Sequence, residues 1–119
     1  MDWKLNGDRA IWLQLSEQLA RRIVTGVYPP GSKLPTVREL AAEAGVNPNT
    51  MQRALAQLEQ DGLAKADRTA GRTVTGDTGV IQRARLVYAQ INIDLFFQGM
   101  AELGYDRAEA IALLKEERA

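Results

Sequence analysis

A pair of short helices joined by a glycine-containing turn is the feature that most constrains how this chain folds. It occupies residues 34–63, which read LPTVRELAAEAGVNPNTMQRALAQLEQDGL. Thr36 is followed three residues later by Glu39, and this is the spacing of a capping box at the start of a helix. Gly45 is suited to end that helix, because glycine readily adopts the left-handed backbone conformation of a C-terminal cap. The sequence therefore predicts a short helix that stops in a sharp turn.

The second helix of this pair presents polar side chains opposite its buried face. Asn47 is a favourable N-cap and Pro48 suits the first helical position. Apolar residues recur at positions i, i+4 and i+7 and predict the buried stripe; they are Met51, Leu55 and Leu58. The first turns of the opposite face carry hydrogen-bonding residues without a carboxylate, namely Asn49, Thr50, Gln52 and Arg53. Asparagine, glutamine and arginine pair with base edges in the major groove, so we expect a helix that reads DNA. The alternative is an ordinary helical hairpin with a solvated polar face.

Segments on both sides extend the helix pair into a larger module. Upstream, apolar residues recur every four positions and predict an amphipathic helix over residues 10–25; they are Ile11, Leu15, Leu19 and Ile23. Gly26 ends this helix, and the prolines at 29 and 30 prevent its continuation, because proline has no N–H to donate. We expect a rigid loop before the helix pair.

Downstream of the pair, residues 63–76 predict a β-hairpin. Apolar and polar residues alternate weakly around a Thr-Ala-Gly turn at residues 69–71. Lys65, Arg68 and Arg72 give this hairpin positive charge, and a hairpin directly after a reading helix is well placed to contact phosphate. The alternative is a surface hairpin that only covers the edge of the core.

The chain beyond Gly76 predicts a helical tail. After a hinge at residues 76–79, the apolar residues on one side of a long helix are Val80, Ala84, Val87, Tyr88, Ile91 and Leu95, and an adjacent stripe holds Phe96, Met100 and Leu103. Gly104 ends this helix, and Asp106 with Glu109 caps a last one. About 40 residues seldom support their own core, so we expect a twofold dimer. Its predicted contact residues are Val87, Tyr88, Ile91, Leu95, Phe96 and Met100. The alternative is that both helices pack back on the first domain.

Residues 10–76 resemble the winged helix-turn-helix domain of the GntR family of bacterial transcription regulators. The specific part of the resemblance is the segment PG-x-x-LP-[ST]-x-REL, which runs from Pro30 to Leu40. The Asn-Pro-Asn-Thr start of the second helix and the short tail are similar to the small YtrA-type subfamily. The resemblance implies a mainly α fold with a small β-hairpin, comprising a winged helix-turn-helix domain at 1–76 and a two-helix dimerisation tail at 77–119.

The resemblance also implies roles for individual residues. Arg38 is expected to reach the DNA backbone or a guanine, Thr36 to lie near phosphate, and Gly71 to form the wing tip. The full predicted DNA-binding set is Thr36, Arg38, Asn47, Asn49, Thr50, Gln52, Arg53, Arg68, Gly71 and Arg72. The family wing often reads R-G-x-G-x-[FY]-V, whereas residues 68–74 read RTAGRTV and lack one glycine and the aromatic residue. The predicted function is a homodimeric repressor that binds an inverted-repeat operator. The alternative is a winged-helix module that binds proteins and not DNA.

Composition excludes several functional classes. The chain has 119 residues, 45% hydrophobic and 25% charged, with no cysteine or histidine. The usual general base, thiol nucleophile and soft metal ligands are therefore absent, and Asp94 and Glu102 belong to no recognisable acid-base pair. We expect no enzyme activity, no metal site and no cofactor. A small-molecule effector stays open, and its site would be an apolar cavity between the tail helices of a dimer, lined by Tyr88, Phe96, Phe97 and Tyr105. The alternative is that these aromatic residues are plain core.

Charge and hydropathy agree with a DNA-binding protein of the cytoplasm. No apolar run approaches the roughly 18 to 20 residues of a membrane span, and no signal peptide opens the sequence, so no membrane contact is expected. Residues 1–76 hold 10 basic and 8 acidic residues (net +2), and residues 77–119 hold 5 and 7 (net −2). This asymmetry is mild, so DNA affinity should depend on salt and benefit from two copies.

Overall fold

The structure, a computed structural model, describes residues 3–117 and is mainly helical. In chain order the elements are α1 (Ile11–Val24), α2 (Val37–Ala44), α3 (Pro48–Gln60), β1 (Ala64–Asp67), β2 (Gly71–Val74), α4 (Thr78–Glu102) and α5 (Arg107–Glu117). The two strands pair antiparallel, from Ala64 opposite Val74 to Asp67 opposite Gly71. This confirms the predicted fold class. The chain forms two compact units, one ending at Ala84 and the other beginning at Arg85, whereas the boundary after residue 76 stays a prediction.

The core of the first unit forms around α3. Helices α1 and α2 and strand β1 all pack against α3. The predicted apolar stripes of α1 and α3 are buried in this core, and their fully buried members include Leu15, Leu19, Ile23, Met51, Leu55 and Leu58. Ile11, which the sequence placed in the α1 stripe, is only half-buried because it stands in the first turn of α1, at the edge of the core.

The helix ends follow the local signals in the sequence. The Thr36 hydroxyl accepts a hydrogen bond from the Glu39 N–H (3.1 Å), and the Glu39 carboxylate accepts one from the Thr36 N–H (3.0 Å). Hydrogen bonds from the Thr36 backbone N–H and then from the Thr36 side chain to the Glu39 carboxylate lower the pKa of Glu39 below its ordinary value. Gly45 ends α2 with φ of 69°, and the Asn47 side chain caps α3 by accepting from the Asn49 N–H at 2.7 Å. The predicted capping box, glycine stop and N-cap are confirmed.

One arginine of the first unit is a structural residue. The side chain of Arg22, in α1, is only 4% exposed and forms an ion pair with Glu43 of α2 at 3.0 Å. Its guanidinium also donates to the Tyr28 hydroxyl (2.7 Å) and lies 4.1 Å from the centre of the Trp3 ring. Arg22 therefore joins α1 to α2, and its charge is not available at the surface.

The loop before α2 runs along the hairpin as a further edge. The Val74 N–H donates to the Ser32 carbonyl (2.8 Å), and the Leu34 N–H donates to the Arg72 carbonyl (2.9 Å). An isolated bridge also pairs Lys33 with Thr73. The sequence predicted only a rigid loop here, because Pro-Pro-Gly obscures the short extended segment that follows it. The pairing holds the start of α2 beside β2.

The start of α4 differs from the predicted hinge. Thr78 and Gly79 form the first turn of α4, because the Asp77 side chain caps it by accepting from the Gly79 N–H (2.9 Å). The buried residue of this first part is Ile81, only 7% exposed, whereas Val80, which began the predicted stripe, is half-buried. The first two turns of α4 therefore belong to the core of the first unit.

The second unit carries exposed apolar side chains. Leu86 is 69% exposed, Leu95 58% and Leu103 74%. Arg107 lies over the Phe97 ring at 4.0 Å. The start of α5 has the predicted cap, because Asp106 accepts from the Glu109 N–H (2.8 Å) and Glu109 accepts from the Asp106 N–H (3.0 Å).

The capping box of α2 leads to a stability prediction. Thr36→Ala removes the side-chain acceptor of the Glu39 N–H, so we expect the free energy of unfolding to fall by about 1 kcal/mol. Thr36→Ser keeps the hydroxyl and should retain most of that stability. Urea unfolding followed by circular dichroism measures both variants. Equal stability of the alanine and serine variants would contradict the assigned role of this cap.

Candidate nucleic-acid interface

The exposed face of α3 carries most of the predicted reading residues. Its buried face consists of Met51, Ala54, Leu55 and Leu58. On the opposite side the side chains of Asn49, Gln52 and Arg53 are exposed, and Thr50 is half-buried. This face begins in the first turn of α3 and has no carboxylate before Glu59. Such a surface offers hydrogen-bond donors and acceptors of the kind that match base edges.

Two residues of the predicted DNA-binding set also have defined structural roles. The Asn47 side-chain oxygen caps α3, and the Thr36 hydroxyl oxygen caps α2. The Asn47 amide N–H group is not consumed by its cap, since that cap uses only the side-chain oxygen as acceptor. The roles of Asn47 and Thr36 toward DNA stay predictions.

Arg53 contacts an aromatic residue that was not among the predicted site residues. The Arg53 guanidinium carbon lies 4.2 Å from the centre of the Trp12 ring. Trp12 stands in the first turn of α1 and is half-buried, outside the apolar stripe that packs on α3. A large aromatic side chain beside the stripe was a signal in the sequence, but its partner on α3 was not readable there.

Exposed positive charge lies at the start of α2 and on the preceding loop. Arg38 is exposed and forms no hydrogen bond or ion pair with any residue in the range 3–117. Lys33, which was not in the predicted set, is exposed and pairs through its backbone with Thr73 of β2. The Lys33 side chain also lies close to the hairpin tip. Its Cε is 3.6 Å from the position that a Cβ atom at Gly71 would occupy. Lys33 therefore adds a cation beside the hairpin.

The hairpin tip is shaped by an aspartate that the sequence analysis did not select. The Asp67 carboxylate accepts from the N–H groups of Thr69 (2.9 Å) and Ala70 (3.1 Å), and from the Thr69 hydroxyl (2.9 Å). These hydrogen bonds lower the pKa of Asp67 below its ordinary value. Gly71 then takes a φ of 79°, in the left-handed region that favours glycine. Arg68, in the turn, is exposed.

Arg72 is bound to α3 and is less available than the sequence suggested. Its Nε donates to the Glu59 carboxylate at 2.5 Å, and the Arg72 side chain is only 17% exposed. The ion pair joins the hairpin to the second half of α3 and compensates the charge of Arg72. A contact of Arg72 with phosphate, which stays a prediction, would compete with this carboxylate.

Neither a metal-binding cluster nor a membrane-spanning helix is found within residues 3–117. Within residues 3–117 no three acidic, histidine or cysteine side chains come together as a metal site would require. Over the same residues no helix is both long enough and apolar enough to cross a bilayer.

Three helices, a polar exposed α3 and a hairpin that follows it define the winged helix-turn-helix class of DNA-binding proteins. Residues 12–74 match the family model described as bacterial regulatory proteins, gntR family. The chain belongs to this GntR family of transcription regulators, as the sequence resemblance predicted. Proteins of the family are DNA-binding regulators and not enzymes, so the prediction of a non-enzymatic protein is confirmed by membership.

Two proteins of Bacillus subtilis illustrate the relationship at the level of sequence. The chain is 30% identical to the HTH-type transcriptional regulator YhcF, and the match covers 97% of this chain and 95% of that protein. It is 37% identical to the HTH-type transcriptional repressor YtrA over 55% of this chain and 50% of that protein. The chain thus spans nearly all of YhcF but only half of YtrA. The similarity to YtrA agrees with the predicted subfamily.

Solved structures agree with this assignment. A GntR family transcriptional regulator from Listeria monocytogenes superposes with a TM-score of 0.84 at 34% identity, covering 94% of this chain and 98% of that one. The DNA-binding domain of AraR, solved in complex with operator ORX1, has a TM-score of 0.55 at 25% identity, covering 63% of this chain and 96% of that one. The first similarity extends over both units of the chain, and the second concerns a protein seen on its operator.

The Asp67 turn predicts a pH dependence of the wing. The folded pKa of Asp67 is lower than its unfolded value of about 3.9, so the turn is fully stabilised above that pH and loses this stabilisation as the pH falls through the folded pKa. NMR shifts of the Thr69 and Ala70 amides should therefore titrate below about pH 4. Asp67→Asn keeps an acceptor oxygen but has no carboxylate, so its amide shifts should stay constant. A midpoint at or above the ordinary value would refute the assignment.

Proposed function

We propose that this chain is a homodimeric repressor that inserts α3 into the major groove at each half of an inverted-repeat operator. The observation that carries the proposal is the exposed face of α3, where Asn49, Gln52 and Arg53 stand together at the start of the helix. These residue types pair with base edges, and the N-terminal part of a recognition helix is the part that contacts bases in helix-turn-helix proteins.

Exposed cations around α3 supply the contacts to phosphate in this proposal. They are Lys33, Arg38, Lys65 and Arg68. Phosphate contacts fix the position of a protein on the duplex and make its affinity dependent on salt, while base contacts provide sequence preference. Arg22 and Arg72 contribute less, because each is already paired with a glutamate.

The tail is proposed to form the dimer. Val87 and Leu95 are each 58% exposed, Ile91 46% and Phe96 36%, while Tyr88 and Met100 are half-buried. Contiguous apolar side chains of this size on a surface mark an interaction site. A second copy of the same tail would bury them on both partners and give two reading helices, which suits an inverted repeat. In this proposal residues 1–76 form the DNA-binding domain and residues 77–119 form the dimerisation tail.

Repression and compartment follow from the same mechanism. A dimer bound over a promoter blocks access of RNA polymerase, and the relative YtrA is itself named a repressor. A regulator of bacterial DNA acts where that DNA lies, so we place this protein in the cytoplasm. The mechanism needs no cofactor.

The site proposed for an effector lies among the aromatic residues of the tail, where the Phe96 and Phe97 rings meet edge to face with centroids 5.2 Å apart.

Substitution of two arginines tests the DNA-binding proposal. Arg53→Ala should weaken operator binding by about 1 to 3 kcal/mol and relax preference at one base pair, because a bidentate base contact is lost. Arg38→Ala, if it removes a phosphate contact, should weaken binding to all duplexes similarly and reduce the salt dependence. Fluorescence anisotropy with the promoter beside the gene and a scrambled duplex measures both effects.

A matched control for this experiment is Arg21→Ala. Arg21 is an exposed arginine of α1 that lines an open cavity of about 480 Å³ together with Lys4 and Gln18, and this cavity has no predicted DNA-binding residue in its lining. Its substitution should leave affinity and sequence preference unchanged. Unchanged binding in the Arg38→Ala, Arg53→Ala double variant would overturn these site residues. A protein that binds no duplex at all would favour the protein-interaction module.

Oligomeric state tests the proposed dimer. Leu95→Asp places a charge in the predicted contact, so we expect a monomer in sedimentation and much weaker operator binding. Leu86→Asp is the control, since Leu86 is more exposed and lies on the opposite side of α4 from Leu95. A chain ending at Ala84 should also be a monomer, and this end point keeps Ile81 in the core whereas one at Gly76 removes it. A dimeric Leu95→Asp variant or a dimeric shortened chain would count against the tail as the interface.

A further inference from the structure

The contact between Trp12 and Arg53 joins the first helix to the reading face. The Arg53 guanidinium carbon stands 4.2 Å from the centre of the Trp12 ring, within the range of a cation-π contact. Arg53 is exposed and forms no hydrogen bond or ion pair with another residue in the described part of the chain. Its interaction with the rest of the protein is therefore through a ring face.

This contact differs from the other arginine contacts of the first unit. Arg22 also lies over aromatic rings, but its guanidinium donates to Glu43 and Tyr28 and is buried. Arg72 donates to Glu59. In both cases N–H groups are occupied within the protein. Arg53 alone of these three combines a guanidinium over an aromatic ring with N–H groups that have no acceptor within residues 3–117.

A ring under the guanidinium changes what Arg53 can do. The guanidinium N–H bonds lie in the plane of the group, so a ring near one face leaves the donors at the edge accessible. A free arginine side chain loses rotamer freedom when it is immobilised at an interface, and a side chain already held in place loses less. Bidentate recognition of guanine uses two such donors toward O6 and N7 and is sensitive to the orientation of the plane.

We propose that Trp12 is a positioning residue for base recognition, which holds the Arg53 guanidinium so that its edge pairs with O6 and N7 of one guanine in each operator half-site. This inference rests on the proposed function and assigns part of its sequence recognition to one base pair. Trp12 acts through Arg53, so the first helix, outside the helix-turn-helix pair, determines part of the sequence preference.

Selection from a duplex library with one randomised half-site tests the proposal on the full-length chain. Trp12→Met keeps apolar bulk without a ring, and we expect it to lower the preference for guanine at one base pair about two- to fivefold, which is the fold-change equivalent to an exposed cation-π contact. Preferences at the other positions and the salt dependence should stay as in the wild type. Trp12→Phe restores a ring and should restore most of the guanine preference.

Arg53→Lys provides the second arm, because lysine keeps the charge but not the planar donor pair. It should lose preference at the same base pair as Trp12→Met. Combining the two substitutions should add little to the loss caused by Arg53→Lys alone, since residues that act as one unit are not additive. A purely structural role of Trp12 would instead lower the melting temperature and weaken binding to all duplexes equally.

Fluorescence gives a readout that does not depend on substituting Trp12. The chain has two tryptophans, so Trp3→Phe leaves Trp12 as its only one. Emission of Trp12 should change when a duplex with the selected guanine is bound, and this change should be much smaller with Arg53→Lys or with that guanine replaced. An unchanged emission on binding the selected duplex would overturn the inference.

Different results would overturn the role of Trp12 and the proposed function. If the wild type selects a base through Arg53 and Trp12→Met keeps that selection at full strength, the role of Trp12 is overturned and the proposed function stands. If Arg53→Lys binds every duplex as the wild type does, Arg53 does not read a base, and the inference falls while the remainder of α3 stays available for recognition. If the wild type prefers no duplex, both are overturned.

Discussion

Burial of one face of α3 is the interaction on which the rest of the first unit depends. Met51 and Leu55 are fully inaccessible and Leu58 is 1% exposed, and each such side chain contributes about 1.5 to 3 kcal/mol when removed from water. Rotation of α3 by a single residue, about 100°, would expose part of this stripe and bury polar groups without partners. The packing of α1 and α2 on α3 therefore also fixes which side chains face outward, and the polar face is a consequence of the core.

Some arginines of this unit form ion pairs that join its elements, whereas other cations are exposed at the surface. Arg22 joins α1 to α2 through Glu43, and Arg72 joins the hairpin to α3 through Glu59. Removal of either glutamate would leave an arginine without its carboxylate, which is costly where the arginine is buried, as Arg22 is. The exposed cations near α3 lie on the loop before α2, on α2, on α3 itself and on the hairpin, and others, such as Arg21 of α1, lie elsewhere on the unit. A net charge near zero thus conceals a surface on which the arginines and lysines around α3 are mostly unpaired.

Local signals in the sequence made the helix ends predictable. Contacts between residues on different elements could not be predicted in this way. The capping box at Thr36, the stop at Gly45 and the cap at Asn47 each depend on residues within a few positions, so the sequence contained the full cause. The partners of Arg72, Lys33 and Arg53 lie on other elements, and their choice depends on how those elements pack. In α4 the apolar residues occupy most sides of the helix, so spacing alone could not show that Ile81, and not Val80, enters the core. The direct roles of the site residues on DNA are still predictions for the same reason, since they depend on a partner outside the chain.

The small number of exposed cations close to α3 limits how strongly one copy of this protein can bind DNA. Each neutralised phosphate contributes a slope of about 0.9 to the dependence of log affinity on log salt, so a handful of contacts gives modest binding that salt weakens readily. In the proposed dimer, selectivity for one site among many would come from base contacts on α3 and from joining two copies, because the base contacts of both half-sites add within one complex. In the proposed dimer the exposed apolar tail would join the two copies, and base contacts are most effective where the side chain is already oriented. In the proposed complex, selectivity should therefore be highest where the reading residues are already oriented, and the contact of the Arg53 guanidinium with the Trp12 ring is the inferred means of orienting one of them.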